Sequence, residues 1–311
     1  METYKIFGDR EHSLIEMTLG DLLDKVAEVY PDNDCVVCND KPFRKTYKEF
    51  KEECDTTAKG LMALGVEKGS HVAIWATNYP EWIVLMFASA KIGATLVTVN
   101  TNYKVFEAEY LLKQSDTDTL VMMDGLKDTN YSEICPELKD SKPGRMDCEN
   151  LPYLKRVIYL DAKENMPRGM LHWSELRELA ASVSDEALRV RQTSVNCHDV
   201  VNMQYTSGTT GFPKGVMLTH YNILNNGKCI GDNQVLTYRD RVCLPVPFFH
   251  CFGCVLGIMA CITHGSTIVP VERYHPVRVM HTIQAERCTA TYGVPTMYIA
   301  MLEHPDFSKY D

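Results

Sequence analysis

The chain has 311 residues, 45% of them hydrophobic, and a formal net charge of −9. That length supports a large buried core, and that hydrophobic share is ordinary for a globular protein. The acidic balance excludes a general nucleic-acid surface and makes any polyanion site a local positive feature.

Residues 1–10 hold no basic stretch followed by an apolar run, which reads against a secretory leader. Thr18-Leu-Gly-Asp21 has the form of a capping box opening a helix to about Val29, ended by Pro31. Leu19, Leu22, Leu23 and Val26 fall on one face of it. Two short strands follow around the turn pair Asn39-Asp40. Tyr47, Phe50, Cys54, Ala58 and Leu61 then recur at helical spacing. After Gly69 strand and helix alternate: strand 71–76, a nearly all-apolar helix from Pro80 to about Ile92, strand 95–99, helix 106–112 and strand 119–123. Residues 124–151 are polar and broken by Pro136, Pro143 and Gly144, so they read as a surface excursion. Strand 156–160 resumes the sheet. A second series has strands near 200–205, 241–246, 266–271 and 289–292, with helices between them. This order predicts an α/β fold with parallel-rich sheets flanked by helices.

The apolar runs from Trp82 and from Cys254 are shorter than a bilayer crossing, so no integral membrane segment is expected and the protein reads as cytoplasmic. Twelve cysteines scattered through apolar stretches suggest reduced, mostly buried thiols. The pairs Cys35/Cys38 and Cys251/Cys254 lack a partner pair at metal-site spacing and read as structural.

The densest chemistry lies in Tyr205-Thr-Ser-Gly-Thr-Thr-Gly-Phe-Pro-Lys-Gly215. Glycines let backbone N–H groups turn toward an anion, hydroxyls add donors, and Lys214 adds a mobile charge. With strand 200–205 before it and a helical pattern near Thr219, the stretch reads as a phosphate-binding loop between strand and helix. It is not a Walker A loop, because Lys214 follows Pro213 and Gly215 stands where Ser or Thr would hold magnesium.

This stretch closely resembles the signature loop of the adenylate-forming superfamily, which comprises acyl-CoA synthetases, luciferases and the adenylation domains of peptide synthetases. Pro245-Val-Pro-Phe-Phe-His-Cys-Phe-Gly253 is similar to the family's aromatic/histidine motif, and Thr291-Tyr-Gly-Val-Pro295 to the strand end that follows. The resemblance implies an N-terminal AMP-binding domain over 1–311, truncated, with a first β/α region at 1–199 and a second at 200–311. The family's adenine and ribose motifs, its magnesium glutamate and its C-terminal domain have no match here.

The implied reaction is ATP-dependent activation of a carboxylic acid as acyl-adenylate, followed by transfer to coenzyme A. The texture is most like a medium-chain fatty-acyl-CoA ligase. By resemblance Thr206, Ser207, Gly208, Thr209, Thr210, Gly211 and Lys214 bind ATP phosphates. Thr206 approaches Mg2+, and His250 stands beside the reacting carboxylate. Phe249, His250, Gly253, Gly257, Tyr292 and Gly293 are candidate acyl-pocket residues, with the two glycines leaving room for a chain. Packing of helix on sheet is the competing reading for Gly253 and Gly257, and a hydrogen-bonded core residue is the competing reading for His250. An aryl-acid or luciferase-type enzyme, or a non-catalytic nucleotide-binding module, stays open as the alternative, as does a homodimer. Fatty acid metabolism is the implied setting.

Overall fold

A computed structural model of the protein describes residues 4–7, 13–135, 148–206 and 213–311. After α1 (Tyr4–Phe7), Thr18 caps α2 (Leu19–Val29), its hydroxyl accepting the Asp21 N–H at 3.1 Å. The apolar face predicted for α2 is buried. β1 (Asp34–Cys38) and β2 (Phe43–Thr46) pair antiparallel. In α3 (Tyr47–Ala63) the predicted helical stripe of Tyr47, Phe50, Cys54, Ala58 and Leu61 is buried. β3 (His71–Trp75), α4 (Pro80–Lys91), β4 (Thr95–Thr98), α5 (Val105–Gln114) and β5 (Thr119–Met122) realise the alternation read from the sequence. β6 (Gly125–Leu126) and β7 (Thr129–Asn130) make a small hairpin. β8 (Arg156–Tyr159), β9 (Leu171–His172), α6 (Glu175–Ala180) and α7 (Asp185–Thr193) follow.

Next come β10 (Val200–Thr206), β11 (Lys214–Thr219) and α8 (His220–Asn233). β12 (Arg241–Leu244) leads to a π-helix, Phe252–Met259, that runs on as α9 (Ala260–His264). β13 (Thr267–Pro270), α10 (Pro276–Glu286), β14 (Ala290–Thr291) and α11 (Pro295–Leu302) complete the described chain but for short 3-10 turns.

The strands form a seven-stranded sheet, β11-β10-β4-β3-β5-β8-β9, and a five-stranded sheet, β14-β12-β13-β1-β2. Only the β10–β11 and β1–β2 pairs are antiparallel within them. The fold class is therefore the predicted one. The sheets do not divide at residue 199, however. β10 and β11 join the sheet built by the first half, with Asn202 opposite Leu96. β1 joins the sheet of the second half, with Val36 opposite Ile268. The compact units follow the sheets. One comprises Met1–Glu53, Thr77–Ile83 and Tyr221–Asp311, and the other Cys54–Ala76 and Val84–His220. Strands choose neighbours by buried faces and register, and an apolar run carries no record of which chain segment it will pair with.

The core of the second unit explains why residues 124–135 are more than an excursion. Tyr131 is buried and stacks on Trp75 with ring centroids 3.6 Å apart, and its hydroxyl donates to the Thr101 carbonyl at 2.6 Å. An aromatic with a satisfied polar tip anchors this polar segment. Among the described residues no helix is long and apolar enough to cross a membrane.

Candidate active site

The phosphate-loop candidates sit at the end of β10. This strand runs parallel to β4, so Thr206 lies at the C-terminal edge of the parallel strands, where open α/β sheets place ligands. Thr206 and Lys214 are both exposed and face each other in register across the β10–β11 hairpin. Ser207, Gly208, Thr209, Thr210 and Gly211 lie outside the described residues. The helix expected near Thr219 is α8, which begins at His220, but a strand the sequence reading did not include, β11, stands between it and the loop. β11 escaped notice because residues 214–217 are all exposed, so no buried alternation marks it.

The root of this hairpin depends on a close approach. Tyr205 pairs with Gly215, and a Cβ on Gly215 would meet the Met203 sulfur at 3.0 Å and the Tyr205 ring at 3.2 Å. Burial pushes the Tyr205 phenol up to about 12, so it stays a neutral donor, directed at the Leu111 carbonyl at 3.4 Å. The sequence reading assigned Gly215 no part. Its signal is the juxtaposition with a tyrosine, which only strand pairing reveals.

The second cluster lies in the other unit, at the ends of β12 and β14. His250 is exposed and caps the following helix. Its Nδ1 accepts the Phe252 N–H at 3.1 Å, and its carbonyl accepts the Cys254 N–H at 3.1 Å. With Nδ1 occupied as acceptor, the proton of the neutral ring sits on Nε2. This exposure removes the reading of His250 as a satisfied core histidine. Phe249 is half-buried, while Phe248 is buried against the Trp82 ring at 5.7 Å.

Tyr292 follows β14. Its ring stands edge-on to Phe252 at 5.6 Å, and its hydroxyl donates to the Leu256 carbonyl at 2.9 Å, with the Gln234 side-chain oxygen at 2.6 Å. Burial raises its phenol well above the ordinary range. The Tyr298 ring covers Gly293, 3.1 Å from where a Cβ would stand. His250, Phe252, Tyr292 and Gly293 thus belong to one sheet edge.

Gly253 and Gly257 do not leave the room expected of them. A Cβ on Gly253 would run into the Pro247 carbonyl, and one on Gly257 would meet both Leu244 methyls at 3.1 Å. Both glycines let the helix lie close on β12 and the segment after it, which is the packing reading.

The AMP-binding enzyme family model matches residues 23–311. The chain belongs to that family. YngI of Bacillus subtilis (strain 168), whose name assigns it provisionally as an acyl-CoA synthetase, is 52% identical over 302 residues, 96% of this chain and 55% of that protein. The mitochondrial medium-chain acyl-CoA ligase ACSF2 of Bos taurus is 38% identical over 313 residues, 96% of this chain and 50% of that protein. The chain spans about half the length of these relatives. The N-terminal domain of FACL13 from Mycobacterium tuberculosis shares the fold, with a TM-score of 0.75 at 24% identity over 94% of this chain and 67% of that one.

Proposed function

We propose that the protein activates a carboxylic acid with ATP and passes the acyl group to coenzyme A. The observation that carries this reading is Lys214, exposed opposite Thr206 at a sheet's C-terminal edge, close in sequence to Ser-Gly-Thr-Thr-Gly, in a chain of the AMP-binding enzyme family. In the first step a carboxylate oxygen attacks the α-phosphorus, the bond to the β-phosphate oxygen breaks, and pyrophosphate leaves. In the second the thiolate of coenzyme A attacks the acyl carbon, and AMP leaves.

Both partners in the first step are anions, so charge must be neutralised before they meet. Lys214 and the backbone donors of residues 207–211 take the β- and γ-phosphates in this reading. Magnesium would accompany those phosphates, supplying further neutralisation. The exposed Thr206 hydroxyl suits a weak protein ligand to it, since magnesium keeps most of its shell as phosphate and water. His250, exposed and with its neutral-ring proton on Nε2, orients the acid's carboxylate. Phe249, Tyr292 and Gly293 border the acyl chain. A fatty acid fits this apolar border, and the medium-chain specificity named for the ACSF2 relatives supports the same class. We extend the reading to the cytoplasm; the mitochondrial label belongs to ACSF2.

The test is acid-dependent exchange of labelled pyrophosphate into ATP by the full-length protein, with thioester followed separately. Exchange stimulated by medium-chain acids and abolished by Lys214→Ala supports the reading. Exchange unaffected by that change refutes the assignment of the loop.

A further inference from the structure

The segment between β12 and His250 is short of its own hydrogen-bond donors. Pro245 and Pro247 have no backbone N–H, so only Val246 and Phe248 can donate between residues 245 and 248. A segment so depleted cannot be fixed by a strand ladder. Its carbonyls still need partners if buried.

Main-chain N–H groups reach two of them, Val271 donating to the Leu244 carbonyl at 3.1 Å and His250 to the Pro247 carbonyl at 3.3 Å, and one side chain serves Val246 and Phe248. Asn78 is 5% exposed and lies in the same compact unit as this segment. Its Nδ2 donates to the Val246 carbonyl at 2.9 Å and the Val271 carbonyl at 3.1 Å, with the Leu244 carbonyl at 3.4 Å. Its Oδ1 accepts the Phe248 N–H at 2.9 Å. The amide therefore ties the exit of β12 to the exit of β13 and grips the chain two residues before His250. From the other side, the first turn of the helix rests its Gly253 on the Pro247 carbonyl.

We propose that Asn78 is a positioning residue. Its amide holds residues 244–248 so that His250 caps the helix through Nδ1 and keeps its Nε2 hydrogen for the substrate carboxylate. Asn78 does this through His250 and touches no substrate itself. The amide's two-sided chemistry is required. It gives two N–H bonds and receives one, a combination that neither a carboxylate nor an aliphatic side chain offers. Loss of the amide leaves several buried backbone groups unpaired at once. The catalytic consequence rests on the function proposed above, whereas the clamp itself does not.

The experiment therefore has a structural arm and an activity arm. In the unmutated protein the Phe248 amide should exchange with solvent at least about 100-fold more slowly than an unstructured amide, although it lies outside any helix or strand. Nitrogen NMR of labelled histidine should show His250 as the Nε2–H tautomer. Asn78→Ala should abolish the Phe248 protection and average the His250 tautomers, whereas Asn78→Asp, which keeps the acceptor and loses both donors, should average the tautomers with part of the protection retained. Val36→Ala, a core change on β1 at a residue to which Asn78 makes no hydrogen bond, should do neither. Fast Phe248 exchange in the unmutated protein, or equal loss in the Val36→Ala control, overturns the clamp while leaving the proposed reaction standing.

In the full-length enzyme Asn78→Ala should lower the adenylation rate at saturating acid about tenfold, with KM for ATP unchanged. The double variant with His250→Ala should be no slower than His250→Ala alone. Additive losses would show that Asn78 does not act through His250.

Discussion

The two segments that carry the candidate site residues are held by different means. Lys214 opens a strand bound to its neighbour by a backbone ladder, which runs from Val200 opposite Thr219 to Thr206 opposite Lys214. His250 follows a proline-punctuated stretch held by one amide that reaches it from residue 78. A ladder shares its strength among many main-chain groups and is indifferent to most side chains. A clamp concentrates the same task in one residue, so a single substitution can release it. Catalytic geometry on the first segment should tolerate sequence change that the second cannot.

Four changes break or sharpen this contrast. The largest expected effect is on activity: Lys214→Ala should cut pyrophosphate exchange by the full-length protein about 100-fold or more, on the scale of losing one charge-stabilising donor. Its urea midpoint should barely move, because the side chain is exposed and the ladder beneath it is backbone. Loss of stability along with activity would mean that Lys214 braces the hairpin. Next, Gly253→Ala should destabilise by about 1–3 kcal/mol in urea unfolding, since the new methyl meets a backbone carbonyl that cannot step aside. A neutral result would show that the helix and the Pro247 segment are free to separate.

Gly215→Ala should cost less, about 1 kcal/mol or below, because its nearest neighbour is the adaptable thioether of Met203. An effect as large as that at Gly253 would remove the distinction between ladder and clamp. The smallest effect concerns His264, in the unit that holds the clamp. Burial holds its imidazole below the usual range, opposed by the Asp232 carboxylate at 3.1 Å, which also pairs with Lys228 at 2.6 Å. A base with a depressed folded-state pKa contributes stability above its ordinary value, about 6.5, and loses it as pH falls. Urea midpoints should therefore drop between pH 7.5 and 5.5, and His264→Gln should flatten part of that slope. An unchanged slope would show that the ring is protonated without penalty.

Much of the fold was legible because the buried strands and helices announce themselves. β3, α4, β4, α5 and β5 are apolar segments of the right lengths between turn residues, and Thr18 marks a helix start by its chemistry. β11 was not legible, since a solvent-facing edge strand carries no buried face. The allocation of strands to sheets was hidden as well, because β1 pairs with β13 across most of the chain. Lys214 and His250 stood out through motifs. Asn78 did not. In Thr-Asn-Tyr-Pro an asparagine reads as an ordinary turn residue, and the carbonyls that give it a task lie 166 to 193 positions away.

The buried tryptophans offer a way to watch the two units separately by light. Trp82 packs on Phe248, whose backbone Asn78 grips, while Trp75 stacks on Tyr131 in the other unit. Their emission should be blue-shifted in the native state, and Tyr131 should feed excitation to Trp75 across the stack. With Trp82 replaced by Phe, the remaining buried signal would report the second unit; with Trp75 replaced, it would report the neighbourhood of the clamp. A probe for the opening of the His250 segment is thus already built into the chain, and it needs no attached dye.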